Sequence, residues 1–201
     1  MTELYLVRHG VTSHTGHRLT GWAPGVPLSE DGRREAETAA RALRGVKFKA
    51  VYSSPIDRTL ETARLVAAPH DLEVVVRDGL GEVDYGKWTN RSLRSVARTK
   101  LWLQLRSWPS NTRFPGGETL RETQVRALAE IDRICSDHPR GAVCCVTHAD
   151  VIRAVVAHFL GLHLDLIERI TIGPASITLI AVAAFGPRVI TVNAPPNSFK
   201  G

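Results

Sequence analysis

The chain has 201 residues, 43% apolar and 23% charged, the balance of a globular protein long enough to bury its core in a single domain, 1–201. Three cysteines, two of them the adjacent Cys144 and Cys145, argue against a disulfide framework and offer no zinc-ligand spacing. The net charge of +6 is concentrated in residues 87–126, where nine Lys or Arg face only Glu118 and Glu122; with no nucleic-acid motif beside them, they make a polynucleotide an unexpected partner.

The first residues form no basic segment followed by an apolar leader, because residues 3–7 already read as a strand. The most apolar stretch, residues 151–167, is interrupted by Arg153, His158, His163 and Asp165, too often to span a bilayer. A cytoplasmic protein with no membrane partner is therefore expected.

Strand-like residues 4–7 end in Arg8-His9-Gly10, and a loop bearing Gly and Pro runs on to Pro27. Ser29 is placed to cap a helix reaching about Leu43, with Gly45 stopping it. Residues 46–52 read as the next strand, and Ser54-Pro55 as a cap followed by proline at the first helical position. Val74, Val75 and Val76 form a third strand leading to Gly81-Glu82.

A helical insert at about 90–118, its helix over 92–108, is expected above the active-site rim. Arg91, Arg94 and Arg98 have the spacing of one helix face. Leu101, Leu105 and Trp108 form a similar stripe, which suits either a pocket cover or a homodimer contact. A Pro-Gly-Gly turn at Pro115 precedes a helix over 119–137, a strand over 142–146, a helix over 150–160 and two closing strands around Gly186-Pro187. The tail, 194–201, reads as loose.

Strands alternating with helices indicate a three-layer α/β/α sandwich with a mainly parallel central sheet. In such folds ligands gather beyond the carboxyl ends of the strands. The strand ends here deliver Arg8 and His9, then Arg58 in the first turn of a helix, then Glu82, then His148.

Two arginines near helix N-termini suit a multiply charged oxyanion, since guanidinium forks pair with phosphate oxygens and free N–H groups add attraction. A histidine there can attack phosphorus through one neutral ring nitrogen while a backbone carbonyl holds the other as N–H. A carboxyl group can protonate the departing alkoxide and later accept a proton from water. Gly10 is expected to let the chain bend close to the ligand. His14, His17, His70, His138, His158 and His163 read as surface or satisfied core residues, and the closely spaced His14 and His17 lack a third ligand, so no metal is expected.

These residues resemble the histidine phosphatase superfamily, which includes cofactor-dependent phosphoglycerate mutase and acid phosphatases. The likeness rests on Leu6-Val7-Arg8-His9-Gly10 with Thr12, Gly21-Trp22 and Pro27-Leu28-Ser29. It continues through Ser53-Ser54-Pro55-Ile56-Asp57-Arg58 and Gly81-Glu82-Val83-Asp84-Tyr85-Gly86. Pro115-Gly116-Gly117-Glu118-Thr119 and Val146-Thr147-His148-Ala149-Asp150 complete the set.

The resemblance implies a phosphoglycerate mutase-like fold, no cofactor and no metal. It implies that His9 carries the phosphoryl group, that Arg8, Arg58 and His148 hold its oxygens, and that Glu82 is the general acid and base. Thr12, Thr15, Gly21 and the amide of Ala149 would be further substrate contacts. Val11, Thr15 and Ala149 depart from the Glu, Asn and Gly common in relatives. Gly161-Leu162-His163-Leu164-Asp165, with Arg169-Ile170 and Pro174-Ala175-Ser176, is similar to an actinobacterial phosphomutase-like subgroup.

The short stretch between Glu82 and Gly116 lacks a mutase-type basic lid. A phosphatase acting on a phosphorylated small molecule is therefore preferred to a phosphomutase, because water exclusion decides the fate of the intermediate. A non-catalytic module that binds phosphorylated ligands is the remaining alternative, disfavoured by the complete set of His9, Arg58, Glu82 and His148.

Overall fold

The computed structural model describes residues 1–199. Strand β1 (Thr2–Arg8) runs into a loop containing the short β2 (Arg18–Leu19), then α1 (Glu30–Leu43), β3 (Phe48–Ser53), α2 (Asp57–Ala67) and β4 (Val74–Val76). After Glu82 come β5 (Arg91–Ser92), α3 (Leu93–Val96) and α4 (Lys100–Ser107). The chain continues with α5 (Leu120–Asp137), β6 (Gly141–Thr147), α6 (Ala149–Phe159), β7 (Ile177–Ala183) and β8 (Gly186–Ala194).

The main sheet has the order β4-β3-β6-β1-β7-β8. Its first four strands are parallel, and β7 and β8 close it as an antiparallel hairpin. Successive β1 side chains point to opposite faces. Tyr5 and Val7 accordingly pack with Ala40, Leu43, Ala63 and Val66 of α1 and α2, while Leu4 and Leu6 pack with Ile131, Ile134 and Val155 of α5 and α6. This is the expected three-layer sandwich. Cys144 and Cys145 divide between the two cores as free, fully buried thiols.

Local chemistry sets the helix starts. Ser29 accepts from the Gly32 N–H at the head of α1. Thr119 and Glu122 exchange side-chain-to-backbone hydrogen bonds in a capping box at the head of α5, an arrangement worth about 1 kcal/mol. No helix among the described residues is long and apolar enough to cross a membrane.

Four expectations need correction. Ser54 does not cap α2: the helix starts at Asp57 behind Ile56, which makes no side-chain cap bond, because Ser54 Oγ pairs instead with His148 Nε2 at 2.9 Å. The insert is not one helix. It breaks between α3 and α4, where Thr99 caps the second piece, and Arg91 lies in β5 paired with Leu19, so Arg91, Arg94 and Arg98 share no helix face.

The tail is docked rather than loose as far as it is described. A turn over Pro196–Ser198 lies against α1, and the Phe199 ring meets Tyr5 edge-on at 6.0 Å. Residues 200–201 lie outside the described residues. Finally, Gly10 is required by the fold: a Cβ there would stand 2.2 Å from the Gly32 carbonyl oxygen, and one on Gly32 would stand 1.9 Å from that of Val11. The close approach is between backbones, which pins the end of β1 to the first turn of α1.

Candidate active site

The carboxyl ends of β1, β3 and β6 meet where the strand order departs from chain order, the expected place for a ligand cleft. A polar cavity of about 220 Å³ opens there, its wall including Arg8, His9, Arg58, Glu82, Tyr85 and Ala149. Thr12, Thr15 and Gly21 also line it. His148 does not reach the wall; it is fully buried behind Arg58, with its ring 5.2 Å from that of His9.

His9 Nδ1 lies 2.7 Å from the Gly10 carbonyl oxygen, so Nδ1–H donates and Nε2 keeps its lone pair. Arg58 Nε–H donates to that Nε2 at 3.1 Å. Burial first, then the Arg58 charge, holds the His9 pKa well below the usual histidine value, so the ring is neutral.

His148 is neutral for the same two causes in the same order. Its hydrogen bonds assign the opposite tautomer. Arg58 Nη2 donates to Nδ1 at 3.2 Å, which leaves Nε2–H to donate to Ser54 Oγ. Both nitrogens of each histidine are therefore engaged, but only His9 lines the cavity, with its Nε2 accepting from Arg58 alone.

Arg58, only 2% exposed, also donates through Nη2 to the Gly21 carbonyl at 3.0 Å. Gly21 has φ +52°, a conformation other residues adopt only with strain, and this aims its carbonyl at the guanidinium. Arg8 donates through Nη1 to the Ile172 carbonyl at 2.6 Å. Arg8 Nε and Arg58 Nη1 are buried donors with no protein partner among the described residues. Burying guanidinium groups costs several kcal/mol unless an anion offsets it, and these free donors suit the oxygens of a phosphoryl group.

The side chains of Thr12 and Thr15 are more committed than the sequence implies. Thr15 Oγ1 accepts from the Thr12 N–H at 2.9 Å, and Thr12 Oγ1 accepts from the His14 N–H at 3.2 Å, so both hydroxyls shape the loop that lines the cavity. Ala149 begins α6, where the first amides of a helix have no intrahelical acceptor.

Glu82 lies on the same cavity wall with Oε2 3.9 Å from Arg58 Nη2 and 3.5 Å from His148 Nδ1. Burial first and Asp150 second push its pKa up to about 7, against the opposing pull of Arg58. A protonated Glu82 faces the lone pair on His148 Nδ1 without repulsion.

Three groups around Glu82 were not legible as site residues. Trp22 Nε1–H donates to the Glu82 carbonyl at 2.6 Å. Arg126, from α5, donates to the carbonyls of Gly79, Gly81 and Glu82 at 2.8 to 2.9 Å, while Glu118 pairs with the same guanidinium at 2.8 Å. Asp150 accepts from the Tyr85 hydroxyl at 3.0 Å and from Arg153 at 3.1 Å. Trp22 stands beside Gly21 in a motif, but nothing in its sequence position reveals a carbonyl 60 residues away.

Comparison with known proteins places this geometry. A family model described as the histidine phosphatase superfamily, branch 1, matches residues 4–195. Phosphoserine phosphatase 1 of Hydrogenobacter thermophilus is 30% identical over 168 residues, spanning 82% of this chain and 79% of that protein. The 2,3-bisphosphoglycerate-dependent phosphoglycerate mutase 2 of Gloeobacter violaceus is 30% identical over 180 residues, 86% of this chain and 82% of that one. The solved structure of Bacillus stearothermophilus YhfR superposes with a TM-score of 0.88 at 28% identity, covering 96% of this chain and 98% of that chain. The chain belongs to the histidine phosphatase superfamily, branch 1.

Proposed function

We propose that this protein is a metal-independent phosphatase that hydrolyses a phosphate monoester through a phosphohistidine on His9. The carrying observation is the tautomer of His9: the Gly10 carbonyl fixes Nδ1–H, and Nε2 stands beside Arg58 in a buried, cationic cavity. In the first step Nε2 attacks phosphorus. The phosphorus–oxygen bond to the leaving group breaks, and the departing alkoxide takes the proton of Glu82. Arg58 transfers its Nε–H from His9 to a phosphoryl oxygen, and Arg8 supplies a second guanidinium. His148 acts by orienting Arg58 from behind the cavity wall.

In the second step water attacks the phosphohistidine and gives its proton to the Glu82 carboxylate. The nitrogen–phosphorus bond breaks and inorganic phosphate leaves, restoring neutral His9 and protonated Glu82. A pKa of about 7 equips one carboxyl for both directions of proton transfer.

A phosphoglycerate mutase is the second reading, favoured by the 30% identity to a protein of that name. One assay separates the two. Phosphate release from an aryl phosphate at mildly acid pH, with and without chelator, is compared with interconversion of phosphoglycerates primed by a bisphosphoglycerate. Chelator-insensitive release is expected. No turnover overturns the enzyme reading, loss on chelation overturns the metal-free route, and mutase flux above hydrolysis makes the protein a mutase.

A further inference from the structure

A second cavity, of about 280 Å³, adjoins the one at His9; the two share Leu19, Tyr85, Asp150 and Arg153. The remainder of its wall is largely apolar, with Trp102 and Leu105 from α4, Phe114 from the segment after it, Leu120 from α5, and Ile167. A space of roughly 150 Å³ already admits a benzene ring, so this one has room for a larger hydrocarbon group.

The charges around it are largely spent on one another. Arg153 Nη1 is 3.1 Å from Asp150 Oδ1 and 3.9 Å from Glu168 Oε1, and Arg106, the other cation on the wall, is solvent-exposed. Arg153 Nε has no protein partner among the described residues and is left to donate one hydrogen bond where the cavities join. A substrate carboxylate entering this space would meet Asp150 and Glu168 and would compete with them for Arg153. An apolar group would meet aromatic and aliphatic side chains.

We infer that this compartment receives the organic part of the ester, and that this part is a bulky apolar group, aromatic or branched, rather than the carboxylate-bearing residue of a small amino or hydroxy acid. The inference rests on the proposed reading only in placing the substrate phosphate beside His9.

Phosphonates test it without turnover, because a methylene replaces the ester oxygen and nothing can be cleaved. Binding of 3-phenylpropylphosphonate, ethylphosphonate and the phosphonate analogue of phosphoserine to the full chain is measured by calorimetry. The phenylpropyl compound is expected to bind at least about tenfold more tightly than ethylphosphonate. Trp102→Ala should shrink that advantage while leaving the ethylphosphonate Kd unchanged. Tighter binding of the amino-acid analogue, equal binding of phenylpropyl and ethyl compounds, or an advantage undiminished in a folded Trp102→Ala overturns the inference. Should the variant fail to fold, the wild-type ranking decides alone. A phenylpropyl advantage without turnover of 2-phenylethyl phosphate would sustain the compartment and overturn the phosphatase.

Discussion

On the strand-end side of the pocket, each functional group is fixed by buried hydrogen bonds. His9, Arg58, His148 and Ser54 form one chain of contacts between 2.7 and 3.2 Å. On the insert side, by contrast, the wall comes from the eight-residue helix α4 and from Phe114, Leu120 and Ile167, and Leu103 and Trp108 remain 65% and 51% exposed. The first side is rigid, polar and charged. The second is short-range, apolar where it faces inward and solvated where it faces out. Chemistry needs groups held to fractions of an ångström, whereas selection of a leaving group needs shape and apolar area. The division predicts that mutations below the phosphate affect every substrate alike, apart from the proton donor proposed at Glu82, which answers only to how much the leaving group needs a proton. Mutations above it should sort substrates by the shape of the organic part.

The sharpest break of that division would be a His9 variant that discriminates between esters. His9→Ala should lose at least about 10⁴-fold in kcat on all of them and form no phosphoenzyme, with its thermal unfolding profile retained. Trapping of a labelled phosphoenzyme in this variant would move the nucleophile elsewhere.

Glu82→Gln comes next. It should slow alkyl esters by about 10²–10⁴-fold and activated aryl esters much less, because a good leaving group needs no proton. The pH profile carries the same information. In the proposed mechanism protonated Glu82 is the active form in the first step, and its pKa is raised to about 7, so kcat/KM for an alkyl ester should fall as pH rises through 7. Burial and Arg58 hold His9 well below its usual pKa, so mildly acid pH should not remove the nucleophile. An alkaline limb that persists in Glu82→Gln would show that another group titrates there.

Arg126→Gln tests whether the acid is positioned from outside the strand-end network. The guanidinium holds the carbonyls of Gly79, Gly81 and Glu82 in place. Letting that loop shift by about 1 Å should cost about 10²-fold on alkyl esters. Aryl esters should suffer less, and binding of vanadate at the phosphoryl cavity should be unchanged. Equal losses on both ester types would reduce Arg126 to a structural residue.

The same contrast explains what could be read from the sequence. His9, Arg58, Glu82 and His148 sit at or just beyond strand ends, and a parallel sheet converts those sequence positions into one rim. A backbone carbonyl holding one ring nitrogen of His9 was legible as well, but that the nitrogen is Nδ1 and the carbonyl that of Gly10 was not. Ser54 was misread because its local pattern suits a helix cap, while the decisive partner is His148, 94 residues away. Arg126 carried no local signal either; it sits on α5 within a basic stretch and acts on carbonyls about 45 residues earlier in the chain. The insert was the least legible region. Thr99 offers a cap in the middle of a helical pattern, and the break it permits decides which side chains face the pocket.

The smallest expected effect concerns the cations on the outer face of that insert. Arg94 and Arg98 are exposed and, among the described residues, make no ion pair. In the proposed phosphatase their contribution would be a diffuse positive field that draws dianionic substrates toward the pocket, and such a field is screened beyond about 8–10 Å at physiological salt. Arg94→Ala with Arg98→Ala should therefore lower kcat/KM by less than about threefold at low ionic strength, leave kcat unaltered, and become indistinguishable from wild type at high salt. A loss that survives high salt, or that appears in kcat, would mean that one of these side chains reaches the bound ester, and the outer face of the insert would then share in the chemistry now assigned to the strand ends.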